Sequence, residues 1–132
     1  MSPGDDRRLI SSGGPWEASA GYSRAVVVGT SCWVSGTTDA GPDGRSVHPG
    51  DPGAQAEAAL DIIERALAEA RLTMADVVRT RIYVTRAASL SAVLAVHGAR
   101  FATTRPAATV VIVAGLIDPS LLVEIEADAR AG

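Results

Sequence analysis

The stretch Asp76-Val-Val-Arg-Thr-Arg-Ile-Tyr-Val-Thr85 alternates between two kinds of side chain, the period of a β-strand with unlike faces. Val78, Thr80, Ile82 and Val84 point one way, and Val77, Arg79, Arg81 and Tyr83 the other. The first face wants an apolar cover and the second does not, which predicts a sheet with helices packed on one side. The flanks supply those helices. Upstream, Asp51-Pro52 opens one of them, since Asp accepts from the first free amides and Pro is tolerated in the first turn. Ala59, Ile62, Ile63, Ala66, Leu67 and Ala70 follow at three-and-four spacing, with Asp61, Glu64, Arg65 and Glu69 on the opposite face. Downstream, Leu90, Val93, Leu94, His97 and Phe101 form a second stripe that Pro106 closes.

Further strands lie on either side. Residues 25–28 and 31–34 flank Gly29-Thr30, a hairpin signal, and Ser35-Gly36 ends the second run. Thr37 to Gly50 reads as a loop rich in Gly, Pro, Asp and Ser. Past Pro106, residues 107–113 and 121–129 read as the last two strands, and residues 8–11 as a further short one. The order strand, strand, helix, strand, helix, strand, strand makes an α+β two-layer sandwich, a mixed sheet with two helices on one face. At 132 residues the chain is sized for one domain, 1–132, with residues 1–7 read as a flexible amino-terminal segment.

Composition removes whole classes of function. With 47% hydrophobic and 20% charged residues, the chain is neither disordered nor fibrous. All 12 basic residues are Arg, so a Schiff-base amine, a phosphate-loop lysine and a lysine general base are absent. The net charge is −3 and no block of basic residues stands out, which speaks against a nucleic-acid partner. Cys32 is the single cysteine, and with His48 and His97 it leaves too few soft ligands for a zinc site; no metal is expected. The amino terminus has no apolar stretch of signal-peptide length. Val110 to Ala114, continuing past Gly115 into Leu116 and Ile117, falls short of the ~20 residues of a membrane helix. A cytoplasmic protein without a membrane partner is the expectation. The sheet face away from the helices carries too much apolar and aromatic material to stay bare, which predicts a homo-oligomer with any active site between subunits.

Gly21-Tyr22-Ser23-Arg24-Ala25-Val26, Val34-Ser35-Gly36, the 76–85 strand, Arg105-Pro106-Ala107 and Val123-Glu124-Ile125-Glu126-Ala127 occur in the order seen in one known family. On these motifs the chain resembles the YjgF/Rid proteins. The resemblance implies a chorismate-mutase-like fold, a homotrimer and no metal or organic cofactor. Family members of the RidA type hydrolyse reactive enamines and imines, such as 2-aminoacrylate released by pyridoxal enzymes, to the keto acid and ammonia.

By the same resemblance, Glu124 is the catalytic position, matching the glutamate that holds or activates the attacking water. Tyr22 matches the aromatic residue at the cleft rim, and Ser35-Gly36 the segment whose backbone amides face the ligand. The arginine that clamps the substrate carboxylate in RidA-type members is replaced here by Ala108, whose methyl group neither neutralises nor orients an anion. Arg105 is a different position. Val110 stands where the family often has a cysteine, and with Ala108 it leaves an apolar, roomier pocket wall. The departure speaks against standard 2-imino acid deamination. What the resemblance implies is a small-metabolite binder whose intersubunit clefts hydrolyse or tautomerise an enamine, imine or related carbonyl compound, Glu124 orienting water. The alternatives are a non-catalytic metabolite-binding or regulatory trimer and a dedicated step in a specialised biosynthetic pathway. A nuclease-like activity ranks last, because an acidic, lysine-free chain makes poor contact with a phosphate backbone.

Other residues admit two readings. Arg81 either supplies the cation lost at Ala108 or pairs across strands or subunits, the second being the simpler. Glu126 and Asp128 share a face with Glu124 and suit pairing with Arg79 or Arg81. His97 reads as a packed, hydrogen-bonded histidine, His48 as a solvated loop residue and Cys32 as a small buried apolar residue. Trp16 either lines the cleft near Tyr22 or covers a sheet edge.

Overall fold

A computed structural model describes residues 7–132. Of the segment expected to be flexible, residues 1–6 lie outside the described residues, while Arg7 belongs to a strand. The strands are β1 (Arg7–Ile10), β2 (Ala25–Val28), β3 (Ser31–Thr37), β4 (Val77–Val84), β5 (Ala107–Ile112) and β6 (Val123–Arg130). The helices are α1 (Glu17–Ala20), α2 (Pro52–Glu69) and α3 (Leu90–Arg100). One six-stranded sheet runs β1-β2-β3-β6-β4-β5. Its pairs are antiparallel except β4 with β5, which run parallel because α3 carries the chain back between them.

Asp51 caps α2 by accepting from the Ala54 N–H at 3.0 Å. The helix then lays Ala59, Leu60, Ile63 and Leu67 against the core face of the sheet, where Val34 of β3 and Ile125 and Ala127 of β6 are buried. Leu60, Ile63 and Leu67 are fully enclosed, and each contributes about 1.5–3 kcal/mol by leaving water. Gln55, equally buried, ties α2 to the approach to β6. It donates to the carbonyls of His48 (3.1 Å) and Ser120 (3.0 Å) and accepts from the Leu122 N–H at 2.8 Å. No helix of the described residues is long and apolar enough to cross a membrane.

Three expectations are corrected. Strict alternation puts Val78 inside and Val77 outside, yet Val77 is 3% exposed and Val78 53%. The pairing of β4 with β6 shifts register between Val77 and Arg79, and the extra residue exchanges the two faces. Ser35-Gly36 does not end β3, which continues to Thr37 through a second irregularity between Val34 and Thr37. Leu94 of the α3 stripe is exposed, and Val93 with Phe101 forms the buried part of that contact.

Candidate functional site

The irregularity in β3 is built around Arg24, the residue before β2. Its Nη1 donates to the Gly36 carbonyl at 2.6 Å and to Thr37 Oγ1 at 2.8 Å. Thr37 Oγ1 in turn donates to the Ser35 carbonyl at 2.7 Å. Ser35 is spent within the same knot: its N–H donates to the Arg24 carbonyl at 2.9 Å and its hydroxyl to the Ser23 carbonyl at 2.7 Å.

Glu124, paired in register with Tyr83 of β4, passes its side chain over Gly36. Its carboxylate takes no hydrogen bond among the described residues. Burial pushes its pKa above the ordinary carboxylate range, repulsion from Glu126 adds to the rise, and Arg24 opposes it. A carboxyl group that is partly desolvated and left unbonded is free to accept from a water or a ligand.

Arg24 has a second partner. Glu17 of α1 is buried beside it, with Oε2 3.6 Å from Arg24 Nε. Burial works against ionisation of Glu17, but donors from Ser12, Gly14 and Ser11 outweigh it and hold its pKa below the ordinary value. Arg24 lies within the Gly21–Val26 motif but is not among the expected site residues, and neither is Glu17. A charged residue directly before an apolar strand was the available signal for Arg24. For Glu17 there was none, because α1 is only four residues long.

Tyr22, Arg24, Gly36 and Glu124 line one cleft of about 130 Å³, with Trp16 and Ile117 beside them. Trp16 therefore lines the cleft with Tyr22 rather than covering a sheet edge, and its ring packs closely against Gly44. Arg24 also lines an adjoining cavity of about 420 Å³ whose far wall is Ile62, Arg65 and Ala66 of α2. The Arg24 guanidinium stands 5.7 Å from the centre of the Tyr22 ring, in cation–π range.

Of the residues expected at the site, Tyr22, Gly36 and Glu124 come together, whereas Ser35, Arg81, Ala108 and Val110 do not line this cleft. Ala108 and Val110 pair with Thr80 and Ile82 at the β5 edge, and Val110 packs against the core. Arg81 lies between Asp128 Oδ2 at 3.4 Å and Glu126 Oε2 at 3.8 Å. His97 Nε2 is 2.8 Å from Thr80 Oγ1 and its ring is 4.7 Å from that of Phe101; burial lowers its pKa. His48 is half exposed, but Asp39 holds its Nδ1 at 3.1 Å, so it is more ordered than a solvated loop residue. Cys32 is buried. Among the described residues no group of three or more His, Cys, Asp or Glu is placed to hold a metal ion.

Residues 15–131 match the model of the family described as Endoribonuclease L-PSP. Uncharacterized protein SCO2049 of Streptomyces coelicolor is 37% identical over 125 residues, which cover 95% of this chain and 92% of that protein. The crystal structure of Rv2704 from Mycobacterium tuberculosis, a member of the YjgF/YER057c/UK114 family, superposes with a TM-score of 0.85 at 47% identity, covering 95% of this chain and 99% of that one. The YjgF gene product of E. coli gives 0.79 at 29% identity, with 93% and 98% covered. With its fold, its order of motifs and nearly its whole length in agreement, this chain belongs to the YjgF/YER057c/UK114 family.

Proposed function

We propose that the chain forms a homotrimer that binds a small metabolite in clefts between subunits and there hydrolyses or tautomerises an enamine, imine or related carbonyl compound. The observation that carries this reading is the Glu124 carboxylate, unbonded among the described residues and partly buried over Gly36 in a cleft. Hydrolysis needs a base beside a water. Water oxygen adds to the carbon of the C=N bond while Glu124 accepts one water proton and returns it to nitrogen, giving a carbinolamine; Glu124 then moves the remaining hydroxyl proton to that nitrogen as the C–N bond breaks, leaving a carbonyl and an amine or ammonia. A base of raised pKa sits nearer neutrality and serves both transfers better than an ordinary carboxylate.

Assembly is supported by the sheet face opposite the helices. Leu9, Val26 and Trp33 stand side by side there on β1, β2 and β3, with Leu9 64% and Trp33 48% exposed. An apolar row of that kind favours cover by another subunit. RNA cleavage is disfavoured by the absence of lysine and by the burial of Arg24 against Glu17.

The test is ammonia or keto-acid release from imines generated in situ by an amino-acid oxidase, comparing wild type, Glu124→Ala and Ala108→Arg. Turnover by the wild type that disappears in Glu124→Ala supports the reading. Full activity in Glu124→Ala removes Glu124 from the chemistry. A wild type that is inert until Ala108→Arg restores activity moves the search to ligands without a carboxylate.

A further inference from the structure

We propose that the Glu17–Arg24 pair makes this cleft selective for an uncharged carbonyl group, such as that of an amide, lactam or ketone, over a carboxylate. The inference rests on the reading of the cleft as the ligand site and names the class of ligand it takes. Arg24 is 6% exposed yet lines both the cleft and the adjoining cavity. A guanidinium carries five N–H donors. Those of Nη1 serve Gly36 and Thr37, and Nε is buried without a hydrogen-bond partner among the described residues. Nη2 enters none of these contacts. Nε faces Glu17, which leaves Nη2 as the donor for an oxygen acceptor in the cleft.

Its charge, however, is already balanced. Glu17 is held in place by the Ser11 hydroxyl (3.0 Å), the Ser12 hydroxyl (2.5 Å) and the Gly14 N–H (3.0 Å), so it can neither swing aside nor readily take up a proton. Among the described residues, Glu124 is the other charged residue lining the cleft. With Glu17 ionised, the three groups sum to zero when Glu124 is protonated and to minus one when it is not. No state of Glu124 makes the trio positive. In the wider cavity Arg65 and Glu69 offset one another in the same way. An entering carboxylate therefore meets a cation whose field is cancelled, and it adds an uncompensated negative charge to a partly desolvated space. A neutral carbonyl accepts from the guanidinium and brings no such charge.

Pyruvate and pyruvamide share a skeleton and differ in charge, which makes them a matched probe pair. Binding to the full-length protein is read from the Trp16 indole N–H resonance at neutral pH in wild type, Glu17→Gln, Arg24→Lys and Arg24→Met. We expect the wild type to bind pyruvamide about tenfold more tightly than pyruvate, the ratio that about 1.4 kcal/mol produces. Glu17→Gln is expected to raise pyruvate affinity about tenfold and leave pyruvamide nearly unchanged, and Arg24→Met to lose both probes. Arg24→Met removes two hydrogen bonds, the one to Thr37 buried, and can unfold the chain; in that event Arg24→Lys, which keeps the charge and loses the fork, is expected to weaken pyruvamide and keep the order of preference. Equal binding of the two probes, or a preference for pyruvate, overturns the selectivity while the cleft remains a ligand site. No gain for pyruvate in a folded Glu17→Gln overturns the role of Glu17. A wild-type resonance that moves with neither probe, up to their solubility limits, overturns the proposal together with the reading of the cleft.

Discussion

A β-carbon placed on Gly36 would stand 2.5 Å from Oε2 of Glu124 and 2.8 Å from its Cδ, so the absence of a side chain on β3 is what lets the β6 carboxylate reach the cleft. Gly36→Ala is expected to displace that carboxylate by an ångström or more and reduce imine hydrolysis by about a hundredfold. Overpacking of this kind also destabilises by about 1–3 kcal/mol. Paired activity and urea-unfolding measurements check both; a variant that keeps full activity shows that Glu124 acts equally well from another position.

The raised pKa of Glu124 has a defined sign in stability. The folded state holds the Glu124 proton to higher pH than the unfolded chain does, so stability falls as pH rises from the ordinary glutamate value of 4.5 through the folded-state value. Glu124→Gln is expected to be more stable than wild type at neutral pH and to lose that part of the pH dependence. Thermal melts of the two proteins across the acid range measure it, and a destabilised Gln variant contradicts the assignment.

Arg81 pairs with Asp128 and Glu126 on a surface where each partner keeps about a third of its side chain in water. Arg81→Met is therefore expected to leave ligand affinity unchanged and to change chain stability by less than about 1 kcal/mol. Titration with the probes above decides: a tenfold loss of affinity would restore Arg81 to the binding site.

For His97 the sign is opposite. Burial lowers its pKa, so the unfolded chain takes up the proton first, and stability present above pH 6.5 is lost as pH falls from there through the folded-state value. His97→Gln is expected to remove that acid-side loss, as read from urea midpoints on either side of pH 6.5.

Gln55 is fully buried and all three of its contacts are to backbone. Gln55→Leu keeps the apolar volume but strands the Leu122 N–H and two carbonyls, and is expected to cost about 3 kcal/mol or more. Equilibrium unfolding measures this directly, and a cost below about 1 kcal/mol would mean that water replaces the amide.

Much of this was legible in the chain. The α2 stripe, its Asp51 cap and the helix-covered face of β4 from Thr80 to Val84 follow from periodicity and capping, which act over a few residues, and the burial of Cys32 from its small apolar side chain. The order of motifs carried the family, and Tyr22, Gly36 and Glu124 do meet in one cleft. Where local rules failed in the strands, a pairing partner was responsible. Val77 and Val78 exchanged faces because β4 answers to the register of β6, which lies far along the chain.

The layers, the two long helices and the strand periods follow from the order of residues alone, since each depends on spacing within one segment. Which charges meet depends on the packing of distant segments. Arg24 and Glu17 come within 3.6 Å of each other across a turn of chain that no periodicity describes, and Gly36 meets Glu124 only because β3 and β6 are neighbours in the sheet. Electrostatic partners are set by distance in space, and pairing between strands far apart in sequence sets that distance.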